Sequence, residues 1–208
     1  MFKRNWLASV VAATALVLVG SAATASAHDA IGITPSGPLP TTIGLNTQAG
    51  GITFSAGMFV GNCTMTLDLI FHPVIRKALD APVGAVTNGS LVVCSPPGVT
   101  ASVLGLPNPS PITYDSFLGT LPNITGLLVW FRRLSFQFNV PGVGLCLYSG
   151  QQGALIDFTK NPRTVTLLAG GIFAKQAGSP LLCPAAGTLT TGPPMLLVQP
   201  VVLNLIDD

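Results

Sequence analysis

Leu134-Ser135-Phe136-Gln137-Phe138-Asn139-Val140 sets four apolar side chains on one face of an extended chain and three polar ones on the other. That period of two is the signature of a half-buried β-strand. Upstream, Met65, Leu67, Leu69 and Phe71 interleave with Thr64, Thr66, Asp68 and Ile70. Further apolar runs between turn residues predict strands over Ser90–Cys94, Thr125–Phe131, Ala154–Thr159, Thr164–Leu168 and Met195–Ile206. One helical signal follows the N-terminal region: Pro73–Leu79 predicts a short helix with Val74, Ala78 and Leu79 inward and Arg76 and Lys77 outward. Many short strands without alternating helices predict an all-β fold, an antiparallel β-sandwich or Greek-key-like barrel.

Of the 208 residues 49% are hydrophobic and only 8% charged, with no Glu, 23 Gly and 18 Pro. An ordinary soluble domain carries about 25% charged residues. The hydrophobic content is too high for disorder. Apart from Lys3 and Arg4 the basic and acidic residues balance, which argues against nucleic-acid binding by counterion release.

Lys3 and Arg4 precede an apolar run from Trp6 to Val19, and small residues lead to Ala25-Ser26-Ala27. This is the layout of a cleaved N-terminal signal peptide over 1–27. The run is 14 residues long, whereas a membrane-crossing helix needs roughly 20. No transmembrane helix is expected after its removal. The segment 28–50, rich in Gly, Pro and Thr, reads as an extended N-terminal arm, and 51–208 as a single β-rich domain. The Pro-punctuated stretch Ser95–Pro111 reads as a crossing between sheets or a join between halves. A faint internal echo sets Leu91-Val92-Val93-Cys94 with Gly98 beside Leu181-Leu182-Cys183 with Gly187.

Export to an oxidising compartment makes disulfides the expected state of Cys63, Cys94, Cys146 and Cys183. Of three connectivities, Cys63–Cys94 with Cys146–Cys183 is favoured because each bridge stays within one half of the chain. There is no C-x-x-C pair of the kind that metal sites use.

Few residues offer chemistry. Cleavage before His28 would give it an α-amino group and an imidazole able to chelate copper, with His72 as a third nitrogen ligand. That arrangement resembles the histidine brace of copper-dependent polysaccharide monooxygenases and the site of small periplasmic copper carriers. It is the alternative reading, a copper protein or copper-dependent oxidase; otherwise no metal or cofactor is expected. No G-x-S-x-G elbow is present, so no enzyme is predicted. Trp130-Phe131-Arg132-Arg133 places aromatics beside two guanidinium groups and marks Trp130, Arg132 and Arg133 as a surface patch for stacking or an anionic headgroup.

Cys146-Leu147-Tyr148 with Gly150, then Cys183-Pro184, Gly187 and a final apolar strand, resembles small exported proteins of actinomycetes, with Cys63-Thr64 and Cys94 as a looser match. The resemblance implies a compact disulfide-bonded β-domain outside the cell and carries over no catalytic residue. The resulting expectation is a secreted or cell-envelope-associated, non-catalytic β-domain that binds a lipid or another envelope component. Alternating strands also suggest a subunit of an outer-membrane pore.

Overall fold

The computed structural model describes residues 30–35, 42–103, 109–120, 123–198 and 203–207. The expected leader over 1–27 and His28 lie outside these residues. The strands are β1 (Ala30–Pro35), β2 (Ile43–Asn46), β3 (Ile52–Ala56), β4 (Phe59–Phe71), β5 (Val74–Arg76), β6 (Pro82–Ser95), β7 (Thr100–Val103) and β8 (Ser110–Thr120). They continue as β9 (Asn123–Val140), β10 (Gly144–Asp157), β11 (Thr164–Leu167), β12 (Ile172–Lys175), β13 (Ala186–Thr191), β14 (Met195–Leu197) and β15 (Leu203–Asp207). Every ladder is antiparallel, and no helix occurs among the described residues.

The ladders of the large sheet close on themselves. The strands β4, β6, β8, β9 and β10 pair in that order. From β10 the ring returns to β4 twice. Tyr148–Gln151 pairs with β12, which leads through β13 and β3 to Phe59–Cys63 of β4. Ala154–Asp157 pairs with β11, which leads through β14 and β2 to Thr66–Leu69 of β4. The long strands therefore run the whole height of a barrel, and short strands complete its wall at each end. Closure reduces the open edges that a sandwich would have to protect, although β7 pairs with β9 alone. A separate three-stranded sheet joins β15, β1 and β5.

The interior is filled. Phe54 of β3 stacks on Phe138 of β9 at 4.5 Å between ring centroids and tilts against Tyr148 at 4.8 Å, while Phe136 meets Phe173 at 5.2 Å. Strands four ladders apart thus touch through their side chains. Phe54 fits because Gly187 faces it: a Cβ there would lie 2.3 Å from the Phe54 ring. The buried Gln152 fills the place where β10 exchanges β12 for β11. Its amide donates to the carbonyls of Gly153 at 3.0 Å and Leu168 at 2.6 Å, while its Oε1 has no partner among the described residues.

Both favoured disulfides are present, Cys63–Cys94 between paired residues of β4 and β6, and Cys146–Cys183 from β10 to the β12–β13 connection. They span 31 and 37 residues, and loop-closure entropy makes each worth roughly 3.5–4 kcal/mol. Two disulfides fit an oxidising, extracellular environment.

Several expectations change. Pro73–Leu79 forms no helix: Val74–Arg76 is a strand, the fully buried residue is Ile75, and Ala78 and Leu79 are exposed. Pairing with β1 satisfies the backbone there without a helical turn. Within the segment 28–50 the described residues supply β1 and β2, and Ile43 and Leu45 of β2 are fully buried in the barrel. Met195–Ile206 divides into β14 and β15, which join different sheets. Ser95–Pro111 contains β7, paired with Val103 opposite Phe136 of β9.

Removing the facing gap should be felt at once. Gly187→Ala is expected to lower the unfolding free energy by about 1–3 kcal/mol through overpacking, and Phe54→Ala by about 3–5 kcal/mol through the cavity it leaves. Urea titration followed by tryptophan fluorescence measures both. A second prediction concerns pH. The Thr159 hydroxyl donates to Asp157 Oδ1 at 2.6 Å and the Thr159 amide at 2.8 Å. The hydroxyl bond, assisted by the amide, Lys160 and Arg163, holds the Asp157 carboxyl below its ordinary range against partial desolvation. A depressed folded pKa stabilises fully above the unfolded value of about 4 and ceases to do so as pH falls through the folded value. The stability difference between the wild type and Asp157→Asn should therefore be present at neutral pH and vanish in acid.

Candidate functional site

The strand β9 changes parity in its middle. Leu127, Val129 and Phe131 face the core, and so do Leu134, Phe136 and Phe138. Odd positions point inward before residue 132 and even positions after it, which a regular strand cannot do. An extra residue resolves the conflict. Leu134 pairs with Gly150 and Phe131 with Gln152, so Arg132 and Arg133 together oppose Gln151. This is a β-bulge, and Arg133 takes a left-handed φ of 54°. Both arginines consequently leave the barrel on its outer face.

Their fates differ. Arg132 lies 5.3 Å from the centroid of the Trp130 ring, and its Nε donates to Thr113 Oγ1 at 3.1 Å. Its Nη1 donates to Gln151 Oε1 and its Nη2 to Asp80 Oδ1. The Thr113 hydroxyl also donates to Asp80 Oδ1 at 3.4 Å, and Trp130 Nε1 donates to Asp115 Oδ1 at 3.1 Å. Arg132 thus ties β8, β9, β10 and the connection before β6 together, with each of its three guanidinium nitrogens already donating once. The Arg132–Asp80 pair is partly exposed, 26% and 58%, and is worth about 1 kcal/mol or less. Asp80 itself has a φ of 63°, so two non-glycine residues in the strained left-handed region flank one guanidinium.

Arg133 is exposed, its carbonyl accepts from Ser110 Oγ at 3.3 Å, and its guanidinium has no partner among the described residues. Beside it lies a shallow depression of about 270 Å³ lined by Arg132, Arg133, Ser149, Gly150, Gln151 and Ile172. At Gly150 β10 and β12 approach closely, since a Cβ there would lie 2.1 Å from the Ile172 carbonyl oxygen. Ile172 is 62% exposed and supplies an apolar wall. The Ser149 hydroxyl pairs with Ser135 Oγ at 3.0 Å, and no lining residue is a base that would activate it. The depression can hold an anionic group beside an apolar one.

In the predicted patch of Trp130, Arg132 and Arg133, Arg132 lies over the Trp130 ring and borders the depression with Arg133, on the outer surface of β9. Asp80, Thr113, Gln151 and Ile172, which complete it, carry no sequence signal of their own. His72 is exposed at the end of β4, its amide donating to the Val83 carbonyl at 2.8 Å. No group of three or more His, Cys, Asp or Glu residues converges among the described residues. Nor is any described helix long and apolar enough to cross a membrane.

No family model, curated protein or solved structure matches the chain.

Deleting Arg133 should unfold the barrel or reduce its stability by several kcal/mol, because either Leu127–Phe131 or Leu134–Phe138 must then turn its apolar face to water; each exposed large side chain costs about 1.5–3 kcal/mol. Replacing it by Gly relieves the left-handed strain instead and should stabilise by about 1 kcal/mol. Parallel urea titrations of the two variants separate register from side chain.

Proposed function

We propose that this chain is an exported, non-catalytic binding barrel of the cell envelope or its surroundings, holding a ligand that joins a carboxylate or phosphate to an apolar body. The observation that carries the reading is the division of labour at the bulge. Arg132 is held by Asp80, Thr113 and Gln151, while the Arg133 guanidinium, without a partner among the described residues, borders a depression with one apolar wall. A structural role explains the first arginine and not the second. Export is supported by the leader-like N-terminal sequence and the two disulfides.

Isothermal titration with a medium-chain fatty acid, at concentrations below micelle formation, tests the reading. Arg133→Ala is expected to weaken binding at least about tenfold, the scale of one charge-assisted contact. Ile172→Asp should weaken it too. Equal affinity in the wild type and Arg133→Ala would remove the site from consideration.

A further inference from the structure

One end of the barrel gathers the connections β3–β4, β6–β7, β9–β10 and β12–β13, over residues 57–58, 96–99, 141–143 and 176–185. These connections touch. A Cβ on Gly57 would lie 3.3 Å from Pro184, one on Gly98 3.2 Å from Pro141, and one on Gly144 3.4 Å from Pro180. Out of this joined surface project Met58 and Leu181, which are essentially fully exposed at 103% and 96%, together with Leu182, Val93, Val60, Val92 and Leu145. The described acidic residues, Asp68, Asp80, Asp115, Asp157 and, in β15, Asp207, all lie outside these connections and their flanks; the sole ionisable side chain there is Lys175, whose Nζ donates to the Cys183 carbonyl at 3.1 Å.

We infer that this end seats in a lipid surface, with Met58, Leu181 and Leu182 reaching the acyl boundary. The site is separate from the depression at Arg133, so either can fail without the other. Three features favour lipid over a protein partner. The apolar side chains project from separate turns instead of lining a flat or concave face, which a fluid phase accommodates without matching shape. The charge distribution is complementary to an anionic headgroup layer: one cation behind the tip and no carboxylate to be repelled.

Backbone dehydration is also cheap there. Pro96, Pro97, Pro141, Pro180 and Pro184 have no amide hydrogen to strip of water. Several of the remaining amides are already satisfied within their own turns, Val99 to Pro96, Val143 to Val140, Ser179 to Gln176 and Cys183 to Pro180, at 3.0 to 3.3 Å. Exposed apolar residues sit immediately beside three of the four bridged cysteines: Val92 and Val93 before Cys94, Leu145 before Cys146, Leu181 and Leu182 before Cys183. The Cys146–Cys183 bridge anchors the connection that carries Leu181 and Leu182.

Co-sedimentation of the exported protein with vesicles of phosphatidylcholine and phosphatidylglycerol tests the inference. All variants carry the same N-terminus, so the apolar run at residues 6–19, wherever it is retained, contributes equally. Met58→Asp combined with Leu181→Asp and Leu182→Asp should weaken partitioning at least about tenfold. Leu79→Asp, an equally exposed leucine in the β5–β6 connection, should leave it unchanged. A Leu181→Trp variant supplies a gain of signal independent of folding yield: its emission should shift to the blue with vesicles and be quenched by lipids brominated in their acyl chains. Unaltered partitioning of the triple variant, absence of vesicle binding by the wild type, or self-association abolished by the same substitutions with no quenching of the Leu181→Trp indole would each overturn the inference.

Discussion

In an antiparallel strand the side chain at every second residue faces the same way, and a closed barrel gives every strand one dry face. An apolar set that changes parity along a strand must therefore be accompanied by an extra residue, and most of the irregularity in this structure follows from that requirement. The strand β4 keeps one parity throughout, with Cys63, Met65, Leu67, Leu69 and Phe71 all inward. Its partner β6 does not. The ladder slips at Val93 and again between Asn88 and Val86, so that Leu91 and Val86 both reach the core. Val93 accepts a φ of 48°, an uncommon conformation for a β-branched residue, and its side chain is left in water as a consequence. The same accommodation in β9 produces Arg133. Both features proposed as functional, the free guanidinium and part of the apolar end, are thus made of residues that the register expelled from the wall.

That origin explains how much was legible in the sequence. Alternation over 134–140 and 64–71 identifies two of the long strands, and loop lengths within each half identify the disulfide pairs. The runs Thr125–Phe131 and 134–140 were each readable as strands; their opposite parity, joined through Arg132-Arg133, was the available sign of a bulge inside one continuous strand. What local pattern does not contain is the exchange of partners. The strand β10 looks uniform, yet it meets β12 over one half and β11 over the other, and only the long-range closure of the ring dictates where the change occurs. The same limitation applies to Val74–Arg76, where a helical spacing of apolar residues was available but pairing with a distant strand satisfied the backbone first. Of the patch, the aromatic and cationic residues adjacent in sequence could be found. Asp80 lies 52 residues from Arg132, and nothing near it marks it as a partner.

The low charge content also has a spatial meaning. Were so few ionisable residues spread evenly, each barrel end would carry some of both signs. Instead the β10–β11 connection collects Lys160 and Arg163 next to Asp157, and the β5–β6 connection holds Lys77 and Asp80, while the disulfide-bearing end keeps only Lys175. Ordinary solubility requirements do not produce such segregation, because a contiguous apolar surface is the arrangement that association or aggregation exploits. The faint echo between Val92-Val93-Cys94 and Leu181-Leu182-Cys183 acquires a physical sense here. Each places an exposed apolar pair directly before a bridged cysteine at the same end of the barrel, so the recurring unit is a way of displaying apolar side chains on an anchored turn, whatever the history of the two segments.

Anchoring is what makes the display tenable. The filled aromatic centre of Phe54, Phe136, Phe138, Tyr148 and Phe173 holds the walls together. A ten-residue connection such as 176–185, free of regular structure and rich in apolar side chains, would gain by collapsing onto the nearest hydrophobic surface. Cys183 prevents that by fixing the connection to β10, the Tyr148 hydroxyl donates to the Pro184 carbonyl at 3.2 Å, and Ser179 Oγ accepts from the Leu147 amide at 2.9 Å. The backbone is thereby held at three points while Leu181 and Leu182 face away from all of them. A connection tied so firmly, with its largest side chains turned outward, is organised for contact with something other than its own barrel.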